Sequence, residues 1–303
     1  MSAVPSASDL PVDRILARPR GGPTVLRMLL GARLRRLREA RGISREEAGY
    51  EIRASRSKIS RLEHGRVGFK ERDVADLLTL YGVSDEQERA AFASLAERAN
   101  LQGWWAEYND ILPDWFEIYI GLEQAASLMR SYELQFVPGL FQTEDYARAV
   151  TILGHRSASA EELGRRVALR HARQELLTGN DPLTVWTVVD EAALRRPIGG
   201  AEVMRGQLEH LIEISALPNV VLQVVPFRHG GHAAAGGAFT ILRFAETDLP
   251  DVVYLEQLTS AVYLDRREDT DHYMEIMDRL SAEAEPPTDT ASFLGKIIKG
   301  LSP

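Results

Sequence analysis

The chain has 303 residues, 45% of them hydrophobic, 26% charged and 7% aromatic, values that exclude wholesale disorder, a collagen-like repeat and a coiled-coil rod. The longest runs without a charge, Ile214–Phe227 and His229–Leu242, span 14 residues each, whereas a membrane helix needs about 20 apolar residues. The absence of cysteine excludes disulfides, thiolate metal sites and cysteine nucleophiles, and fits a reducing compartment.

The net charge of −8 conceals a split. Arg14 to Arg72 holds 17 Arg and Lys against 6 Glu, so the remainder is strongly acidic. A basic module joined to an acidic body is the pattern expected of a protein that meets nucleic acid through one segment. Met1–Asp9 lacks the basic-then-apolar order of a secretion signal, so a cytoplasmic, nucleoid-associated location is expected.

Residues 1–23, rich in Pro and Gly, read as a disordered leader whose Arg14, Arg18 and Arg20 form a solvated tail rather than a DNA-binding arm. Thr24 is the expected N-cap of a helix running through Leu26, Leu30, Leu34 and Leu37 to a stop at Gly42. Ser44 with Glu47 forms a capping box for a second helix ending near Arg53. Ser55 caps a third, which ends at His64-Gly65. Helices over 70–81 and 84–99, the latter opened by a box from Ser84 to Gln87, complete a five-helix domain at 24–100.

Six of the 22 aromatic residues then fall between 104 and 119. Trp104, Trp105, Tyr108 and Trp115, with Phe116 and Tyr119, are expected to form an interdomain joint at 101–120, with ligand stacking as the alternative. The pattern from 121 to 303 is mixed α and β. Helices are expected at 121–131, 143–153, 160–178, 200–216, 267–284 and 289–299. Strands are expected at 132–137, 183–189, 219–226, 238–244 and 251–257, the last two as antiparallel neighbours. The fold class is thus α+β, an all-α N-terminal domain followed by a mixed α/β domain for regulation, dimerisation and partner binding.

The strongest functional signal is Gly42 to Gly65, two capped helices with a short break, a helix-turn-helix pattern. Ile52, Ile59 and Leu62 face inward, and Gly49 allows close approach. Arg56, Ser57 and Arg61 share the opposite face, at a spacing that reaches base edges in a major groove. Ser44, Arg45, Ser55, Lys58 and Ser60 are placed for phosphates.

The stretch Gly42-Ile-Ser-Arg-Glu-Glu-Ala-Gly-Tyr-Glu-Ile-Arg-Ala-Ser-Arg-Ser-Lys-Ile-Ser-Arg-Leu-Glu-His-Gly65 resembles the Xre/Cro-type repressor helix-turn-helix without a gap. The resemblance implies base contacts from Arg56, Ser57 and Arg61, and a structural ion pair between Arg38 and Glu63. Arg53 departs from the glycine usual in that turn. A positive φ at Arg costs roughly 1 kcal/mol or more, so a slightly different turn is expected.

Further segments, among them Trp104-Trp105, Phe136-Val-Pro-Gly-Leu-Phe-Gln-Thr-Glu-Asp-Tyr146, Arg170-His-Ala-Arg-Gln174 and Val225-Pro-Phe227, resemble a family of actinomycete regulators of the WhiJ type. Its members join an Xre-type domain to a largely uncharacterised C-terminal domain and are described as antitoxin-like. This implies a small companion protein and repression of its own operon.

Enzyme-like hints are weak. His229-Gly-Gly-His232 reads as a glycine-rich hairpin loop rather than a metal site, and Asp190 and Glu191 as acids that start a helix. No phosphate-loop, dinucleotide or nucleophile-elbow fingerprint is present. Asp145, Arg148, Arg170 and Arg173 read as surface or interdomain ion pairs, with an anionic-ligand pocket as the lesser alternative. No catalytic residue, metal or cofactor is therefore expected. The expected function is a sequence-specific, homodimeric DNA-binding regulator, its partner double-stranded operator DNA from its own promoter. A small protein partner or small-molecule effector would act through the C-terminal domain, with no membrane involved. The alternative is an antitoxin-like interaction protein that sequesters a small cognate partner.

Overall fold

Pro23 opens the first helix, and its fixed φ suits that position, with Gly22 rather than Thr24 as the N-cap. Thr24 is instead buried inside the first turn, where its hydroxyl lies against Gly121. The computed structural model describes residues 22–301 apart from 235 and 247–248. The leader expected at 1–23, with Arg14, Arg18 and Arg20, lies outside the described residues except for its last two.

Five helices follow in order: α1 (Pro23–Ala40), α2 (Arg45–Glu51), α3 (Arg56–Glu63), α4 (Glu71–Leu80) and α5 (Glu86–Ala99). Leu26, Leu30, Leu34, Ile59, Leu62, Leu77, Leu78 and Leu95 form their shared core. The capping box at α2 is complete, with Ser44 Oγ accepting from Glu47 N and Glu47 accepting from Ser44 N. α5 is capped by Asp85, whose carboxylate accepts from Glu88 N at 2.7 Å, so the box expected one residue earlier is displaced by a stronger acceptor.

The chain forms two compact units that interleave in sequence. The first reaches Glu107 and adds Phe116–Ala125 and Phe244–Pro250; the second holds the rest. The helix expected at 121–131 is in fact α6 (Asp114–Ala125), which begins directly after Pro113 and ends before the sheet. The next strand, β1 (Leu128–Glu133), replaces the one expected at 132–137. Its inner residues are buried on both faces, so no alternation of polar and apolar residues marked its start.

The second unit then runs α7 (Glu144–Gly154), α8 (Ala160–Arg173), α9 (Glu175–Thr178), β2 (Thr184–Asp190), α10 (Glu191–Arg195), α11 (Ala201–Ile214) and β3 (Val220–Val225). It closes with β4 (Phe239–Arg243), β5 (Val252–Glu256), β6 (Ala261–Leu264), α12 (Arg267–Glu283) and α13 (Thr290–Gly300). The six strands lie in the order β3-β2-β1-β4-β5-β6. The first three are parallel, joined by helical crossovers, and the last three antiparallel. Since β3 and β4 are not neighbours, residues 229–232 belong to a connection across the sheet, not to a hairpin. The short edge strand β6 was missed in the sequence; four residues carry too little pattern.

One face of this sheet packs Tyr132, Val188, Phe239, Ile241 and Val253 against Met277 and Leu280 of α12. On the other face, at the end of β1, Glu133 is half-buried, and desolvation together with the Glu256 charge pushes its carboxyl up to about 8. Folded chain therefore keeps a proton there that unfolded chain releases, so stability falls as pH rises between about 4.5 and 8. Glu133→Gln, which cannot ionise, is expected to match wild type near pH 5. At pH 8 it should be more stable by about 1–3 kcal/mol, as read by urea denaturation at the two pH values.

Candidate nucleic-acid interface

The local sequence sets the break between α2 and α3. Arg53 adopts φ 52°, the left-handed conformation expected of glycine. The expectation of an altered turn is thus corrected: the turn keeps the glycine geometry and Arg53 bears the strain. Gly49 makes the close turn feasible, because a Cβ there would lie 2.7 Å from Ala54 O. Gly31 does the same for α1, where a Cβ would lie 2.3 Å from Leu62 O.

Three helices meet on one carboxylate. Glu63, at the end of α3, accepts from Arg38 Nε at 2.5 Å, from Arg38 Nη2 at 3.1 Å and from Arg45 Nε at 2.8 Å. Arg38 also donates to Ile43 O at 2.8 Å. Glu63 and Arg38 are both buried. The hydrogen bond to Glu63 raises the Arg38 guanidinium above its ordinary value, against the opposing effect of burial.

The face of α3 opposite Ile59 and Leu62 is open. Arg56, Ser57 and Arg61 are exposed on it and Ser60 is half-buried. Arg56 pairs with Glu46 at 3.2 Å across the turn. No hydrogen bond or ion pair engages the Arg61 guanidinium among the described residues, which leaves its full donor fork for a ligand.

The residues expected at phosphates divide by state. Ser44 and Ser55 are exposed and use their oxygens as N-caps, Ser55 accepting from Lys58 N at 3.2 Å. Lys58 Nζ is held by Asp73 Oδ2 at 2.7 Å, and Arg45 belongs to the Glu63 network. Around these residues lies an open recess of about 320 Å³ lined by Arg35, Arg38, Glu39, Arg45, Glu46 and Arg56. Arg35, with Tyr50 at 88% exposure on α2, was not singled out in the sequence. An aromatic residue on a solvent face of the first motif helix was the available signal.

The aromatic stretch is divided between the units. Trp104 and Trp105 meet edge to face at 6.1 Å, and Phe116 stacks on Tyr119 at 5.5 Å, all in the first unit. In the second, Tyr108 lies under the Arg165 guanidinium at 5.8 Å and Trp115 O accepts from Tyr263 OH at 2.5 Å.

The remaining chemical candidates have structural partners. Asp190 N-caps α10 by accepting from Ala192 N at 2.7 Å, and Glu191 accepts from Phe227 N at 2.7 Å. His229 faces Glu283 at 3.6 Å, whereas His232 lies 3.1 Å from Tyr132 OH, so the two imidazoles have different partners. Among the described residues no group of three or more His, Asp or Glu is arranged to hold a metal, and no helix is long and apolar enough to cross a membrane. Arg148 pairs with Glu144 on the surface, whereas Arg173 is buried and Arg170 is half-buried and donates to Gln142 Oε1 at 3.1 Å.

Five N-terminal helices, with an open recognition helix among them, precede a mixed six-stranded sheet, the arrangement of a helix-turn-helix DNA-binding regulator. Residues 29–92 match the family described as helix-turn-helix domain. Residues 116–296 match the family described as domain of unknown function DUF5753, and the chain belongs to that family. No curated protein and no solved structure matches it.

Glu63→Gln is expected to destabilise α1–α3 by about 3–5 kcal/mol, since two guanidiniums lose their buried counter-charge. Arg38→Met combined with Glu63→Leu should cost clearly less. Amide hydrogen exchange in α1–α3 measures both; equal losses would show that the pair does not act as a unit.

Proposed function

We propose that the chain is a sequence-specific transcriptional regulator that reads operator DNA through α3. One observation carries the reading: α3 buries Ile59 and Leu62 while exposing Arg56, Ser57 and an unengaged Arg61 along one face. Arg61 and Arg56 suit bidentate contact with guanine O6 and N7, and Ser57 suits either a base or a phosphate. Ser44, Arg45, Ser55, Lys58 and Ser60, around the arginine-lined recess, would follow the sugar-phosphate backbone and set register. Lys58 and Arg45 would keep their protein partners and reach phosphate at the edge of those pairs.

The protein acts as a homodimer in this reading, so that two copies of α3 meet half-sites roughly one helical turn apart. A small companion protein or a small-molecule effector binds the C-terminal domain and favours one spacing of the two reading heads. The stretch containing Trp104, Trp105, Tyr108 and Trp115, where the chain passes between units, would carry that coupling. Its acidic C-terminal part weakens non-specific attachment to DNA, leaving the basic helices to select the site. Resemblance to WhiJ-type, antitoxin-like regulators supports repression of its own operon, in the cytoplasm at the nucleoid.

Fluorescence anisotropy with DNA from upstream of its own gene, against a scrambled duplex at two salt concentrations, tests this. Wild type should prefer the native duplex, and Arg61→Ala should lose about 1–3 kcal/mol on it and little on the control. Equal, steeply salt-dependent binding to both would reduce the interface to phosphate attraction.

A further inference from the structure

The recess of about 320 Å³ draws its lining from three helices: Arg35, Arg38 and Glu39 of α1, Arg45 and Glu46 of α2, and Arg56 of α3. Its carboxylates already have partners. Glu39 Oε1 accepts from Arg35 Nε at 2.8 Å and from Arg38 Nη2 at 3.4 Å, and Glu46 Oε1 lies 3.2 Å from Arg56 Nη1. Arg38 is buried and is held by Glu63 and by Ile43 O. The other guanidiniums are only partly used. Arg35 and Arg45 each commit Nε alone, to Glu39 and Glu63, and Arg56 commits Nη1 alone. Among the described residues, the terminal nitrogens of Arg35 and Arg45, and Nε and Nη2 of Arg56, have no protein acceptor.

Spare N–H groups from three arginines around one cavity select an anion. A guanidinium edge is a planar fork that matches two oxygens of a phosphate or a carboxylate. Three forks on three helices exceed what one carboxylate can use, whereas linked phosphates offer oxygens to each. The volume lies at the lower end of the range of about 300–1,000 Å³ for small-molecule sites, so it holds more than a single ion. Glu39 and Glu46 oppose a bare anion, so firm binding needs a second kind of contact. Tyr50 supplies one. It lies one turn beyond Glu46 on the same face of α2, is 88% exposed and has no ring or hydrogen-bond partner among the described residues. An exposed aromatic ring beside cationic forks is a stacking platform for a nucleobase.

We propose that the recess and Tyr50 form a binding site for a free nucleoside triphosphate, its phosphates on Arg35, Arg45 and Arg56 and its base on Tyr50. Arg45 and Arg56 also serve the duplex in the regulator reading, so nucleotide and operator exclude each other. The protein then releases DNA as the nucleotide level rises. Duplex DNA spaces its phosphates along the strand and keeps its bases paired inside. A free nucleotide brings consecutive phosphates and an unstacked base to the same place, which uses the spare forks and the tyrosine together. The exclusion rests on the regulator reading, but nucleotide binding itself is measured without DNA, so either can fail alone.

Isothermal titration calorimetry of the full chain with ATP, GTP, CTP and UTP tests the site, with pyrophosphate and the matching nucleosides as half-ligands. At least one triphosphate should bind, and both of its half-ligands at least tenfold more weakly. Arg35→Ala and Tyr50→Ala, both at exposed positions where folding tolerates them, should each weaken that binding at least tenfold, while Arg148→Ala leaves it unchanged. In fluorescence anisotropy at matched ionic strength, saturating triphosphate should weaken duplex binding at least tenfold. No heat with any triphosphate, pyrophosphate equal to the nucleotide, or undiminished binding in Arg35→Ala or Tyr50→Ala would overturn the site. Unchanged duplex affinity at saturating nucleotide would overturn the exclusion.

Discussion

The N-terminal unit is organised around one buried carboxylate. Glu63 holds Arg38 of α1 and Arg45 of α2 from the end of α3, so three helices are referenced to one point. Such a pair adds little stability relative to a well-packed apolar substitute, but it resists displacement, because any shift that opens it leaves charge without a partner. Apolar contacts between Ile59, Leu62 and α1 could tolerate sliding; two short hydrogen bonds to Glu63 cannot. Gly31 tightens the same junction, since α1 lies against the last carbonyls of α3 where any side chain would intrude. The reading face of α3 inherits its orientation from this junction.

Charge then separates the helix-turn-helix region from the rest of the chain. The basic residues gather on α1–α3 and the acidic excess lies elsewhere in the chain. Long-range attraction to DNA comes from the former and is screened by salt, whereas base contacts from Arg56 and Arg61 act only at close range. Within the helix-turn-helix, carboxylates already occupy Arg38, Arg45, Arg56 and Lys58 to different degrees. Arg61 differs because its guanidinium is not engaged by the protein, so contact with a base requires no partner to be broken.

The local rules of the N-terminal unit were legible in the sequence. Ser44, Glu47 and Ser55 are read from capping chemistry, and Ile52, Ile59 and Leu62 from helical spacing. Arg53 shows the limit of that reading: the turn that brings Ala54 N to Gly49 O holds it at a φ its own preference opposes. Thr24 failed as a cap because Pro23 already starts α1 behind Gly22, and Ser84 because Asp85 beside it caps α5. In the second unit, strands buried on both faces gave β1 no alternation, and its start was misplaced. The approach of Glu256 to Glu133 depends on strand order, and nothing in residues so far apart announces it.

The central claim is that α3 selects sequence through the side chains it exposes. Selection of a random duplex library on the full chain, followed by sequencing, measures this most directly. A motif containing guanine is expected, repeated as two related half-sites, with information lost at a guanine position when the selection is run on Arg61→Ala. Enrichment of no motif, or the same motif from both proteins, would contradict it.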